Sequence, residues 1–153
     1  MDDQEKLKKR LSRIFTRKGE DGHYTRLFEN LESAQRRTLL SNARLSEGEL
    51  PIIGSLESSQ RWLLLTTQRI IWNLGERTQS LPLRAIRDVV SDFRKLVNTG
   101  RKKDQMRELQ ILTMGGEHYT IELEPGAPLI GTWNALKNIG AGNRREISNS
   151  SER

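Results

Sequence analysis

The residues able to do acid–base or metal chemistry are few and scattered. The two histidines, His23 and His118, lie far apart, with no carboxylate at metal-ligand spacing, which argues against a zinc site. His118 follows a turn at the start of a strand pattern and reads as an exposed polar residue. Glu122 and Glu124 alternate on the same strand pattern and read as a solvated face. No nucleophile elbow, Walker loop or dinucleotide fingerprint occurs. Gly115-Gly116 and Pro125-Gly126 are turn chemistry, because a phosphate cradle needs a following helix N-terminus and a basic partner. Trp62, Trp72 and Trp133 could stack on a ligand, but in a small domain they read first as packing. The expectation is therefore a protein that is not an enzyme and carries no catalytic, metal or cofactor residue.

Charge is the more telling chemistry. Residues 1–18 hold seven Lys/Arg against three acids, a balance of +4, and residues 94–107 hold six against one, +5. The whole chain is +6, so the remainder is −3 and the basicity is local. Lys9, Arg10, Arg13 and Arg17 in the first segment, and Arg101, Lys102 and Lys103 in the second, are the candidate contacts for an anion or an anionic lipid. No aromatic residue lies between Arg94 and Arg107 to stack a base, which sets nucleic acid behind the other partners.

The elements that must position these groups follow from periodicity. Residues 4–18 predict an amphipathic helix with Leu7, Leu11, Ile14 and Phe15 on one face and the bases on the rest of the wheel. That apolar face would meet either a membrane or a protein surface, its own domain included. Gly19–Gly22 reads as a linker, and a second helix is expected from Thr25 to about Leu45, ended by Gly48 and Pro51. Leu50–Gly54 predicts an edge strand because of its proline, and Ser55–Gln60 a turn.

The stretch Arg61–Val90 organises the rest. Trp62–Leu65 and Arg69–Trp72 are short apolar runs separated by Thr-Thr-Gln, too short and too uniformly apolar for one amphipathic helix, and they predict a hairpin. Thr78–Leu81 predicts a third strand, closed or placed at an edge by Pro82. Ile86–Phe93 predicts another, and Arg107–Thr113 with His118–Glu124 a second hairpin across Gly115-Gly116. Pro128 fits the first turn of a helix whose apolar face is Leu129, Ile130, Trp133, Leu136 and Ile139. The tail after Asn143 reads as disordered.

Leu65-Thr66-Thr67-Gln68-Arg69-Ile70-Ile71, followed by Leu81-Pro82-Leu83-Arg84-Ala85-Ile86, resembles the hairpin and proline step of bacterial pleckstrin-homology-like and GRAM-like domains. The resemblance runs through Leu109–Thr113, Tyr119–Leu123 and the helix from Pro128, roughly two thirds of the chain. It implies a partly open barrel or sandwich of about seven antiparallel strands capped by the C-terminal helix: a mainly β, α+β fold. It also implies a ligand loop between the first two strands, here Ser55–Arg61, where Arg61 is the sole base and Glu57 opposes it. Bacterial relatives suggest assembly through protein contacts in place of phosphoinositide recognition.

The expected organisation is a basic segment and linker at 1–22, a helical extension at 23–46, the pleckstrin-homology-like domain at 47–143 and a disordered tail at 144–153. The expected function is a non-catalytic interaction module that binds a protein partner or its own copies. The alternative is a peripheral binder of anionic membrane using the N-terminal helix and the 94–107 loop. The chain has no cysteine and no run of roughly 18 apolar residues. Its first residues are acidic where a secretory leader is basic. A cytoplasmic protein, at most peripheral to a membrane, is the corresponding expectation.

Overall fold

The computed structural model describes residues 2–75, 77–91 and 106–151. Strands β1 (Thr25–Leu27), β2 (Pro51–Ser58), β3 (Arg61–Thr66), β4 (Arg69–Leu74) and β5 (Thr78–Pro82) form one antiparallel sheet in that order. Strands β6 (Ile86–Val90), β7 (Glu108–Thr113) and β8 (His118–Glu122) form a second. Among the described residues three helices flank them: α1 (Asp3–Lys18), α2 (Ser33–Ala43) and α3 (Ala127–Ser151). The described residues make an open sandwich of eight strands, one more than about seven, without closing into a barrel.

The five-stranded sheet is buried on both faces, which explains why its strands read as continuous apolar runs. Leu63, Leu65, Ile70 and Trp72 join the cluster between the sheets, while Trp62, Leu64 and Ile71 meet Leu31, Leu39 and Ala43 around α2. Gly54 on β2 permits that approach, since a Cβ there would lie 2.7 Å from Leu39 Cδ1 and 2.8 Å from Leu31 Cδ1. Ile52 and Ile53 are neighbours yet share the inner cluster, because the β2–β3 register shifts between Pro51 and Ile53. Leu109, Ile111 and Ile121 complete the interior from the second sheet, and Trp72 meets Tyr119 edge-on at 5.7 Å. The tryptophans pack as expected, Trp62 and Trp72 buried and Trp133 half-buried with its indole N–H donating to Val89 O at 2.8 Å.

Helix α3 lies along β6. Gly140 sits so close to that strand that a Cβ would come 2.7 Å from Arg87 O. Asn143 donates from one amide nitrogen to Leu83 O and Ile86 O, both at 2.7 Å, holding the 3-10 turn at 83–85 between β5 and β6.

Several expectations need correction. The segment 25–45 is not one helix. Its first residues form β1, paired to β2 at Thr25↔Ser55 and Leu27↔Ile53, then a 3-10 turn at 28–30, and only then α2. Pro51 does not mark an edge strand: β2 lies between β1 and β3, and the proline is its first residue, where a missing N–H is tolerated. The turn expected at 55–60 shrinks to Ser59-Gln60, because β2 continues to Ser58 opposite Arg61. Strand β6 ends at Val90, and Asp92 and Phe93 lie outside the described residues. The tail is helical to Ser151, since Asn143 and Arg144 bind the carbonyls of Leu83, Ile86 and Arg87 and carry α3 onward. Leu11, Phe15 and Leu27 share one core with both sheets.

Candidate functional site

Helix α1 is specified at both ends. Asp2 caps it by accepting the Glu5 N–H at 2.8 Å; Asp3 and Glu5 stand in the first turn, Arg17 and Lys18 in the last, each sign where the helix dipole favours it. Leu11 and Phe15 are 0% and 1% exposed, and Leu7 and Ile14 pack beside them. The partner is α3. A Cβ at Gly131 would lie 2.8 Å from the Phe15 ring, and one at Gly19 would strike Ala127 and Gly131. Ala127, Gly131 and Ala135, four apart on α3, thus form a small-residue seam into which α1 settles. Gly19 meets the start of α3 while Leu7 and Arg10 share a cleft with Ile139–Asn149, so the two helices run antiparallel. The apolar face predicted for a membrane or a partner is therefore occupied by the chain's own core.

Docking turns the opposite face outward. Lys6, Lys9, Arg10, Arg13 and Arg17 are all exposed. Their spacing places them along one side of the helix, over about 16 Å from Lys6 to Arg17 at 1.5 Å per residue. Among the described residues none of these five side chains has a hydrogen-bond or ion-pair partner. The other predicted basic cluster, Arg101, Lys102 and Lys103, lies outside the described residues. Arg107, at the end of that segment, is paired with Glu57 at 2.7 Å.

The end of the sandwich around the β2–β3 turn is the opposite case. Arg61 is ion-paired with Glu57 at 3.6 Å and with Glu122. Its charge is matched on both sides, as the opposition of Glu57 to Arg61 implies. Tyr24 stands beside this group; burial first, then the Glu57 charge, raises its phenol above the usual range.

Two carboxylates are committed to the architecture. Glu124, read as solvated, is 8% exposed and accepts the backbone N–H groups of His23, Tyr24 and Thr25 at 2.8, 2.7 and 3.0 Å. Burial alone would raise its pKa, but these three donors outweigh it and hold the carboxyl below the ordinary value. Gly22 makes room, since a Cβ there would lie 2.5 Å from that carboxylate. Glu122 is only half-buried and belongs to Arg61. Glu49, which the sequence did not single out, has a fully buried side chain. It accepts from Arg69 Nε at 3.0 Å, the Thr66 hydroxyl at 2.5 Å and Ser46 N at 2.9 Å. Burial pushes its pKa up and those donors pull it below the usual range. Arg69 also donates to Ala43 O and Arg44 O, both at 3.0 Å, closing α2 where Arg44 adopts a left-handed φ of 53°. The signal for both carboxylates is long-range, because each pairs with segments far away in sequence.

His23 and His118 are both exposed. Among the described residues no group of three or more His, Asp or Glu could hold a metal ion, and no helix is long and apolar enough to cross a membrane. The fold and the site together define an open α+β sandwich that presents one cationic helix face. Compared with known proteins, the chain matches no family model, no curated sequence and no solved structure.

Proposed function

We propose that this chain is a non-catalytic interaction module of pleckstrin-homology-like build, acting in the cytoplasm, that holds an acidic protein partner against the exposed face of α1. One observation carries the reading: five bases stand in a solvent-facing row on a helix locked in place by the burial of Leu11 and Phe15. Arg61, Arg69 and Arg107 are matched by Glu57, Glu122 and Glu49, whereas these five are left to solvent. Three of the five are arginines, whose planar forks suit carboxylates better than an ammonium does. The family resemblance supports the module reading through the two stacked antiparallel sheets and the C-terminal helix laid over β6.

The anionic membrane is the competing partner and uses the same bases. Leu7, Leu11, Ile14 and Phe15 are engaged in the core, so no apolar insertion from α1 supports it. Coulomb attraction alone, about 1 kcal/mol per base near an anionic surface, would have to suffice. Titrating the protein with fluorescent poly-L-glutamate and with phosphatidylserine-containing vesicles, over a range of salt, separates the two. The expected result is salt-sensitive binding of the polypeptide, lost when Lys6, Lys9, Arg13 and Arg17 are changed to Gln, with vesicles at background. Vesicle binding stronger than polypeptide binding would assign the face to lipid. Failure of poly-glutamate to bind even at low salt would end the protein-partner reading.

A further inference from the structure

The junction of α1, α3 and the 3-10 turn at 83–85 holds a cleft of about 470 Å³, within the ordinary size range of small-molecule sites. Leu7 from α1, Leu83 from the turn and Ile139 from α3 give it apolar lining. Arg10 on one wall and Arg145 on the other are exposed, and neither has an ion pair among the described residues. Glu146 is the acid of the lining and is bonded to neither arginine, so the cleft keeps a net positive charge. Past Leu83 the surface continues into a second cleft of about 650 Å³ that carries another exposed base, Arg84.

We propose that this cleft binds an anionic amphiphile: a molecule with one carboxylate or phosphate head and a short apolar tail. The two arginines offer forked donors that match such a head, being weakly hydrated and permanently charged. Half-buried Leu7, with the edges of Leu83 and Ile139 that remain exposed, offers a short tail a small apolar surface. A head without a tail would meet only exposed arginines, and a tail without a head would leave them unmatched. The proposal does not rest on the acidic-partner reading, since it uses the side of α1 that faces α3 and one residue, Arg10, of its exposed row.

Gly142 makes the idea testable. It lines the cleft, and a Cβ there would meet nothing closer than Arg145 Nη2 at 4.0 Å. Gly142→Leu should therefore fold, gain helix propensity and fill the site. Isothermal titration of the full chain with octyl phosphate below its micelle concentration, inorganic phosphate and octyl glucoside is the measurement. One saturable site for octyl phosphate is expected, at least tenfold tighter than for either of the other two. Gly142→Leu should weaken it at least tenfold, and Arg10→Gln with Arg145→Gln likewise, while Arg37→Gln on α2 leaves it unchanged. Thermal melting of Gly142→Leu checks that the variant folds, and the double arginine variant carries the test if it does not. Octyl phosphate binding no tighter than inorganic phosphate, or undiminished in both variants, would overturn the proposal. So would capture of anionic vesicles without binding of monomeric octyl phosphate, which would trace the affinity to a lipid surface.

Discussion

Two cationic regions of this molecule obey opposite rules. Around the β2–β3 turn, Arg61 and Arg107 face Glu57 and Glu122, so each base has an acid within ion-pair distance. Along α1, Lys6, Lys9, Arg10, Arg13 and Arg17 have no acid within that distance among the described residues, and they stand close enough to repel one another. The first arrangement closes an end of the sandwich. The second makes no ion pair within the fold, and its bases are free to meet something else. Counting bases does not say which are matched; the ion pairs at one region and the packing of α1 at the other do.

The contrast depends on α1 being held down, so the largest expected effect comes from releasing it. Phe15 is 1% exposed and rests on Gly131, where no Cβ intervenes. Phe15→Ala leaves a cavity that the α1–α3 seam cannot close without moving backbone, and should cost about 3–5 kcal/mol. Urea denaturation measures this directly. A loss below about 1 kcal/mol would mean that α1 is not integral to the domain, and the cationic face would lose its rigid support.

How much of this could be read beforehand follows the range of the interactions. The hairpins at 61–74 and 108–122 were legible because strand and turn signals are local: Thr67-Gln68 and Gly115-Gly116 sit between apolar runs. Of the residues expected in the core, Leu63, Leu65, Ile71, Leu109, Ile111 and Ile121 are buried and Trp133 is half-buried. The stripe of α1 was legible for the same reason, although its periodicity could not say what covers it. Thr25–Leu27 was misread because Leu27, Phe28 and Leu31 have helix-like spacing. What makes a strand there is pairing with β2 and three N–H bonds to Glu124, about a hundred residues away. The polar end of α3 was misread similarly, since its docking on β6 depends on Asn143 reaching Leu83 and Ile86. The amphiphile cleft was illegible, because its walls come from four distant segments: α1, the β3–β4 turn at Thr67, the 3-10 turn and α3.

A middle-sized effect is expected from Glu124, a carboxylate matched by backbone in place of a base. Its folded-state pKa lies below the ordinary value near 4.5, as does that of Glu49. A depressed carboxylate stabilises the fold above its unfolded pKa, and that stability is lost as pH falls through the folded value. Thermal stability should therefore be flat from about pH 5 to 8 as far as these groups are concerned, and fall below about pH 4.5. Glu124→Gln should cost about 2 kcal/mol at pH 7, because a neutral amide oxygen accepts three N–H groups less well than a carboxylate. The variant should also lose part of the acid limb. An unchanged pH profile would show that His23, Tyr24 and Thr25 do not depend on the charge.

The smallest effects carry the comparison itself, because its two regions should answer one substitution with opposite signs. Arg61→Gln removes bonds to Glu57 and Glu122 and leaves two acids facing each other. Since its side chain is 41% exposed, the loss should be about 0.5–1 kcal/mol. Arg13 stands four residues from both Lys9 and Arg17 and three from Arg10. Like charges at that spacing disfavour a helix by roughly 0.2–0.5 kcal/mol per pair, so with three pairs Arg13→Gln should raise stability by about 0.6–1.5 kcal/mol. Added salt should shrink the gain, as screening weakens repulsion between exposed charges. The same variant should weaken poly-glutamate binding. A residue that costs the fold stability and contributes to binding is the expected signature of a functional charge. If Arg13→Gln instead destabilises the fold like Arg61→Gln, the row on α1 is structural, and the distinction between the two regions disappears.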